Sequence, residues 1–150
     1  MTAHKPNIAI RSFENPDASV IKAIDDLLIS FNEKALAIKR DAMVVAAYDK
    51  EEFIGGIYFR WYGPSAIIEH MAINEKWRRQ GVGKRLLIAA EREIHRQGCR
   101  WITVNSMSFQ APEFYRRLGY EVIATVPQFF ENHDHLILRK MLPERPVSNE

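Results

Sequence analysis

Residues 73–84 read INEKWRRQGVGK, and in this segment a β-rich stretch ends, two glycines follow and an amphipathic helix begins. The first turn of a helix presents unpaired N–H groups and the positive end of the helix dipole. Glycines let a phosphate approach such a backbone closely. Arg78, Arg79 and Lys84 add positive charge around the same turn. The stretch therefore predicts a binding site for a polyphosphate.

The spacing of the glycines disfavours two common nucleotide loops. A Walker loop needs a glycine five residues before the Gly-Lys pair and a Ser or Thr after the lysine. This chain has Arg78 and Arg85 at those positions. A dinucleotide fingerprint needs a third glycine three residues after Gly83 and an early β-α-β unit. Leu86 stands at that position and no early unit is visible, so neither ATP, GTP nor NAD is the expected ligand.

Hydrophobic periodicity and turn residues predict elements in the order β-α-β-β-β-α-β-α-β-β. The strands are expected at residues 8–11, 43–48, 53–62, 66–73, 101–105, 121–126 and 135–139, and the helices after residues 15–17, at 84–97 and at 111–118. In the first helix, which should cover a sheet, apolar residues recur at helical spacing: Val20, Ile24, Leu27, Leu28 and Phe31. The inner face of the second helix is predicted to consist of Leu86, Leu87, Ala90 and Ile94. Short connections predict an antiparallel meander, and the strand-helix-strand unit adds a parallel pair. The expected architecture is a mixed sheet with helices packed on it.

Arg78, Gly81 and Gly83 have the spacing Arg-x-x-Gly-x-Gly, which resembles the pyrophosphate loop of the GNAT acetyltransferases. Residues 67–73 resemble the fourth strand of that family, and residues 111–120, APEFYRRLGY, resemble its Ala-x-x-Phe-Tyr-x-x-x-Gly-Phe signature. The resemblance covers residues 8–142. It implies one α/β (α+β) GNAT domain over residues 1–150, with a mixed, mostly antiparallel sheet of six or seven strands. Glu69 and residues 108–115 resemble a group of small bacterial single-domain members.

The resemblance implies acetyl-CoA as co-substrate and assigns the residues that contact it. Backbone groups of Met71, Ala72 and Ile73 are expected beside the pantetheine arm and thioester. The pyrophosphate is expected to meet Arg78, Arg79, Gln80, Gly81, Val82, Gly83 and Lys84. Ser108 replaces an Asn that often contacts the cofactor in the family; its hydroxyl can bond the cofactor, but capping of the next helix is the expected role.

Transfer of an acetyl group from a thioester to an amine requires a neutral amine and a proton for the departing thiolate. By the resemblance, Tyr115 is the general acid near the thioester sulfur and the cofactor; a phenol, with a reference pKa of about 10, suits a thiolate leaving group. For Glu69 we expect a role as base, directly or through a water, because a carboxylate within an apolar strand is costly unless it faces a cleft or is paired. The alternative is that Glu69 only pairs with a neighbour or faces solvent. In a regular strand His70 would point to the opposite face.

Composition and charge exclude several classes of function. Lys and Arg number 21 against 19 Asp and Glu, a formal net charge of +2, which is unlike a dedicated nucleic-acid binder. No apolar run approaches the roughly 18 residues of a membrane span, and the N-terminus lacks the apolar stretch of a signal peptide, so a cytoplasmic location is expected. Cys99, the single cysteine, is predicted to be a small buried hydrophobe. His133 and His135 share a strand face without a third ligand, so no metal is expected.

The acceptor is expected to be a primary amine on a small polyamine, an amino acid, an antibiotic, a peptide N-terminus or a lysine. Two other classes of function compete with this interpretation. A non-catalytic acyl-CoA-binding regulatory module would keep the glycine loop but lose acid and base, and Tyr115 argues against it. A nucleic-acid-binding domain would account for the arginines and lysines but not for the glycines. A homodimer is expected because many GNAT members are dimers.

Overall fold

The computed structural model describes residues 8–38 and 40–144, which form two units divided after Ala37. The first contains helix α1, Ala18–Leu36, whose N-terminus is capped by Asp17: its side chain accepts a hydrogen bond of 2.9 Å from the Ser19 N–H. The helix ends at Ala37, which has a left-handed backbone with φ 52°.

Two expectations for this first unit are wrong. Residues 8–11 form no strand, because four alternating residues are a weak signal without a partner strand to pair with. The residues Asn15, Pro16 and Asp17 predict a capping side chain, a first-turn proline and an early acid in that order, whereas the structure has Asp17 as the cap, so Asn15 and Pro16 precede the helix. That α1 covers a sheet, and that the chain is a single domain, both stay predictions.

The second unit contains the other predicted elements in the predicted order. They are β1 (Arg40–Asp49), β2 (Glu52–Tyr62), β3 (Ser65–Ile73), α2 (Val82–Arg96), β4 (Trp101–Met107), α3 (Pro112–Arg117), β5 (Glu121–Phe130) and β6 (His133–Met141). The strands form one six-stranded sheet in the order β1-β2-β3-β4-β6-β5. Only the β3–β4 pair is parallel, and the other neighbours within this sheet are antiparallel. The α/β mixed sheet with an antiparallel meander is therefore confirmed.

Helix α2 packs its apolar face on the sheet and forms most of the helical part of the core. Its predicted inner residues are all buried: Leu86, Leu87, Ala90 and Ile94. They meet fully buried strand residues such as Ile57, Phe59 and Ile102. Cys99 is buried as predicted, with 1% of its surface exposed. The helix ends before Gly98, whose φ of 86° is readily adopted by glycine.

Strand β3 contains a β-bulge at Glu69. Tyr58 of β2 pairs with His70 and the next residue, Phe59, pairs with Ile68, so Glu69 is left without a cross-strand partner. A bulge inserts one residue and can end strand pairing. Here the parallel pairing with β4 reaches Ile68 opposite Val104 and extends no further.

The bulge also shifts which side chains of β3 face the core. Ala66 and Ile68 are buried before the bulge, whereas Met71 and Ile73 pack against the core after it. The core-facing residues have even numbers before the bulge and odd numbers after it, because the inserted residue offsets the two-residue period of the strand. Helix α2 therefore packs on one continuous apolar face of the sheet.

An ion-paired cluster joins α2 to β6 and to Tyr120, the residue directly before β5. Glu91 accepts hydrogen bonds of 3.0 and 2.9 Å from Lys140 Nζ and one of 3.0 Å from the Tyr120 hydroxyl. The side chains of Lys140 and Glu91 are only 24% and 15% exposed. Burial and the neighbouring charge of Glu91 raise the pKa of Tyr120 far above its usual value, so the hydroxyl remains a donor.

Glu91→Gln should lower the free energy of unfolding by about 1–3 kcal/mol, because Lys140 loses the carboxylate that compensates its partly buried charge. Urea denaturation at neutral pH measures the loss. Glu93→Gln is the matched control, since the Glu93 pair with Arg96 lies on the surface of the same helix and should contribute at most about 0.5 kcal/mol. Equal losses in the two variants would contradict the structural role of the Glu91 cluster.

Candidate active site

A cleft of about 890 Å³ opens where β3 and β4 cease to pair. Its walls come from β3, the end of β4, the turn before α2 and the start of α3. The lining residues are 68–73, Arg78, 104–106, 109–111, Phe114 and Tyr115. The cleft thus brings together Glu69, Met71, Ala72, Ile73, Arg78 and Tyr115, which the sequence predicted as site residues.

The two strand edges that face the cleft are open. Beyond the bulge β3 stays paired with β2 as far as Ile73, and β4 stays paired with β6 as far as Met107. The opposite edges of these segments are not paired with each other, because the β3–β4 register ends at Ile68 and Val104. Backbone N–H and C=O groups on such edges can bond an extended chain that has its own amide groups.

Tyr115 reaches the cleft from the side of the sheet on which α2 packs. It lies in α3 and is 7% exposed. Its hydroxyl donates a hydrogen bond of 3.5 Å to the sulfur of Met71, and its ring packs edge-on against Phe114 and Tyr120. Burial raises the pKa of Tyr115 above its usual value. The phenol therefore remains protonated and is able to act as a proton donor.

Glu69 both lines the cleft and forms an ion pair with Arg60 of β2. Arg60 Nε donates to Glu69 Oε1 at 2.6 Å and the terminal Nη2 donates to the same oxygen. The two side chains are 22% and 24% exposed. Burial alone lowers the pKa of Arg60, but the hydrogen bond and charge of Glu69 outweigh it and the pKa is raised. The pairing that the sequence left open is thus present, in a residue that also lines the cleft.

His70 was expected to point away from Glu69 in a regular strand, and the bulge in β3 means that this condition is not met. The His70 ring packs against Tyr58, with centroids 6.0 Å apart, while Glu69 pairs with Arg60. Tyr58 and Arg60 are two residues apart in β2 and share the face opposite the buried Ile57 and Phe59. Glu69 and His70 therefore lie on the same face of the sheet, and both line the cleft. His70 was not predicted to line the site, because the alternation of residues in β3 does not reveal the bulge.

The turn before α2 positions the predicted phosphate-binding residues. Gly81 is the N-cap residue, with φ 77°, and it has no side chain that could cap the helix. Arg78 lines the cleft and donates from Nε to the Ile73 carbonyl at 3.2 Å. Gln80 instead donates to the Lys76 carbonyl at 2.8 Å, next to Arg79, which has a φ of 60°. The first N–H groups of α2 accordingly remain available to an anion.

Gly83 has a role that the sequence did not indicate. A methyl group at this position would lie 2.8 Å from Ile73 Cδ1 and 3.3 Å from Met71 Cε. The glycine therefore lets the first turn of α2 approach β3 directly behind the cleft. Val82 beside it is buried, whereas Lys84 is exposed. Of the two glycines in the loop, Gly81 permits the turn and Gly83 permits the packing.

Ser108 lies outside the set of residues that line the cleft. Its hydroxyl accepts a hydrogen bond of 3.1 Å from the Asp134 N–H of β6. The expectation that Ser108 caps the next helix is wrong, because the N-cap position is Ala111, whose N–H donates to Ser106 Oγ at 3.4 Å. Asn105 and Ser106 are the polar residues of β4 that line the cleft.

The histidines of β6 pack against aromatic rings. His133 and Phe109 have centroids 4.8 Å apart, as do His135 and Phe129. Within residues 8–38 and 40–144, no group of three or more His, Cys, Asp or Glu residues could hold a metal ion. Across the same residues, no helix combines the length and apolar character needed to cross a membrane.

A family match covers the entire cleft. The family described as Acetyltransferase (GNAT) domain matches residues 39–122, more than half of the chain. The chain belongs to the GNAT acetyltransferase family. It is accordingly an acyltransferase, and the fold predicted from its loop and tyrosine motifs is the fold of this family.

Two relatives are similar to this GNAT acetyltransferase in sequence. An acetyltransferase of Agrobacterium fabrum is 28% identical over 112 residues, which span 73% of the chain and 82% of the relative. The blasticidin-S acetyltransferase of Streptomyces morookaense is 28% identical over 90 residues, which span 59% of the chain and 63% of the relative.

Solved structures share the fold. The crystal structure of an acetyltransferase from Bacillus cereus is 28% identical, covers 88% of this chain and 98% of its own, and has a TM-score of 0.74. The structure of an aminoglycoside 6'-N-acetyltransferase with coenzyme A is 18% identical, covers 93% of this chain and 99% of its own, and has a TM-score of 0.65.

Proposed function

We propose that the chain transfers the acetyl group of acetyl-CoA to a primary amine by direct attack in a ternary complex. The observation that supports this most is the cleft between β3 and β4, with Tyr115 on one side of the sheet and Glu69 on the other. An acid and a base on opposite sides of a bound thioester suit an attack from one face and a departure toward the other.

Acetyl-CoA is the proposed co-substrate because the cleft offers a matching partner for each part of it. The open edges of Met71, Ala72 and Ile73 suit the amide-containing pantetheine arm. The start of α2 suits the pyrophosphate, with backbone groups of residues 79–84 and the positive side chains of Arg78, Arg79 and Lys84. The structurally similar aminoglycoside acetyltransferase was crystallised with coenzyme A.

The proposed chemistry needs no covalent enzyme intermediate. Glu69 takes a proton from the acceptor amine, directly or through a water, and the amine nitrogen attacks the thioester carbon. The carbon–sulfur bond then breaks, and Tyr115 gives its proton to the departing thiolate. Solvent reprotonates Tyr115 and accepts the proton that Glu69 took up, so that the neutral amine and acetyl-CoA give an N-acetyl amine and free coenzyme A.

A small-molecule amine is the proposed acceptor, because the similar proteins include acetyltransferases for blasticidin-S and for aminoglycosides. Polyamines, amino acids, peptide N-termini and lysines are the other amines to be tried. A cytoplasmic location and a homodimer are proposed with it. The buried Cys99 suits a reducing compartment, and light scattering with size-exclusion chromatography would measure the oligomeric state.

Calorimetric titration with acetyl-CoA, followed by a free-thiol assay against a panel of amines, tests the function directly. Binding with release of coenzyme A on one amine class is the expected result. Binding without release on any amine would favour the non-catalytic acyl-CoA-binding module. An absence of binding would overturn the assignment of the turn at Gly81 and Gly83.

Glu69→Gln should reduce kcat/KM most at low pH, where the acceptor amine is mainly protonated and a base is most needed. Below about pH 6 the expected loss is on the order of 10²-fold, since general base catalysis is typically worth that much. Measuring kcat/KM from pH 5 to 9 checks the slope. Glu52→Gln, which removes an ion-paired glutamate outside the cleft, should leave the profile unchanged. A loss that is the same at every pH would assign the base role elsewhere.

A further inference from the structure

The bulge in β3 brings a second proton-accepting side chain to the face of Glu69. His70 and Glu69 are consecutive, yet both lie on the sheet face that presents Tyr58 and Arg60, and both line the cleft. In a regular strand one of the two would face the core side of the sheet. The bulge therefore adds an imidazole to the side of the cleft from which the acceptor amine approaches in the proposed reaction.

The Glu69 carboxylate is already engaged in an ion pair with Arg60. Arg60 donates from Nε and Nη2 to Oε1 of Glu69, and from Nη1 to the Tyr62 hydroxyl at 3.4 Å. A proton on Oε1 would displace the guanidinium from its partner, which leaves Oε2 as the more accessible oxygen. The contact of His70 with Tyr58 is a packing of two rings and not an ion pair. The His70 side chain is also exposed.

Five charged or titratable side chains face His70 or share the cleft with it. Tyr58 and Arg60 face it from β2, Glu69 precedes it on β3, and Arg78 and Tyr115 are the other titratable groups of the cleft. Histidine is also the side chain that most often serves as a general base near neutral pH.

We propose that His70 is a second catalytic base, which accepts the proton of the acceptor amine alongside Glu69. The inference rests on the proposed acetyl transfer and deepens it. The neutral imidazole takes one proton as the carbon–nitrogen bond forms, becomes an imidazolium beside Glu69, and returns the proton to solvent after the product leaves. Because an imidazole accepts a proton only when neutral and a carboxylate only when ionised, we expect the contribution of His70 to grow with pH relative to that of Glu69.

Opposite pH dependences of two variants test the proposal. With acetyl-CoA and the best amine of the panel, we expect His70→Gln to lower kcat/KM on the order of 10²-fold above pH 7 and by only a few-fold below pH 6. Glu69→Gln should show the reverse. His70→Phe keeps an aromatic ring against Tyr58 without a nitrogen, and should lose as much activity as His70→Gln. Added imidazole should restore part of the activity of His70→Ala.

The controls separate catalysis from folding. His95→Gln removes an imidazole outside the cleft and should leave kcat/KM unchanged. Thermal unfolding and acetyl-CoA affinity should be unchanged in the His70 variants, because the side chain is exposed. Suppose that the wild type is active, and that His70→Gln has the same pH profile as the wild type or His70→Phe is fully active. Either result would overturn the role of His70 and leave the proposed acetyl transfer intact. Wild-type protein that binds acetyl-CoA but acetylates no amine would overturn the proposed function itself.

Discussion

Tyr115→Phe should lower kcat by about 10²-fold or more while acetyl-CoA affinity stays within about a factor of two. The phenol is the proton donor for the departing thiolate in the proposed reaction, and a positioned general acid typically contributes 10²–10⁴-fold. Its hydroxyl makes one long hydrogen bond, to the Met71 sulfur, so its removal leaves the packing of the ring nearly intact. Single-turnover release of coenzyme A, together with calorimetric titration, measures the two quantities separately.

Tyr120→Phe is the matched control for Tyr115→Phe. Tyr120 is also buried beside α3, and its ring packs against Tyr115, but its hydroxyl bonds Glu91 away from the cleft. This variant should lose about 1 kcal/mol of stability and keep its kcat. Comparable loss of kcat in both variants would indicate that the aromatic packing, rather than the phenol of Tyr115, is what catalysis requires.

Gly55→Ala should destabilise the protein by about 3 kcal/mol and weaken acetyl-CoA binding by roughly tenfold or more. Gly55 is a buried residue of β2 that pairs with Ile73. A methyl group there would lie 2.7 Å from the Ala72 carbonyl oxygen and 3.1 Å from Ile73 Cα. These are backbone atoms, so β3 must shift as a strand toward the cleft. Urea denaturation and calorimetric titration measure the two effects.

Gly98→Ala is the control that shows whether the loss of stability in Gly55→Ala comes from steric crowding or from the backbone conformation of a glycine. Gly98 has a φ of 86° and no heavy atom within 4 Å of an added methyl group, so this substitution costs only the left-handed conformation, about 1 kcal/mol. Acetyl-CoA affinity should be unchanged, because Gly98 lies beyond the far end of α2 from the cleft. If Gly55→Ala were no more harmful than Gly98→Ala, the close approach of β2 and β3 would not be what fixes the cleft.

Local patterns were sufficient to predict most of the second unit. The helical spacing of Leu86, Leu87, Ala90 and Ile94 predicted the inner face of α2, and all four are buried. Short turns predicted the antiparallel meander, which the pairing of β1, β2 and β3 confirms. The loop at residues 78–84 and the tyrosine motif predicted the family, to which residues 39–122 belong. The strand expected at residues 8–11 is wrong because its pattern was too short.

Residues close together in the chain were enough to predict the order of the elements in the second unit, the inner face of α2, the glycine turn and the family. The side chains that meet in the cleft are brought together only by the fold. The bulge at Glu69 depends on the register between β2 and β3. The alternation of residues within β3 therefore does not reveal that Glu69 and His70 lie on the same face. Arg60, the ion-pair partner of Glu69, belongs to the neighbouring strand. The close packing of α2 on β3 depends on Gly83, which has no side chain to collide with Ile73. Such contacts join residues that are distant in sequence, and their geometry is fixed only when the strands pair and the helix packs on them.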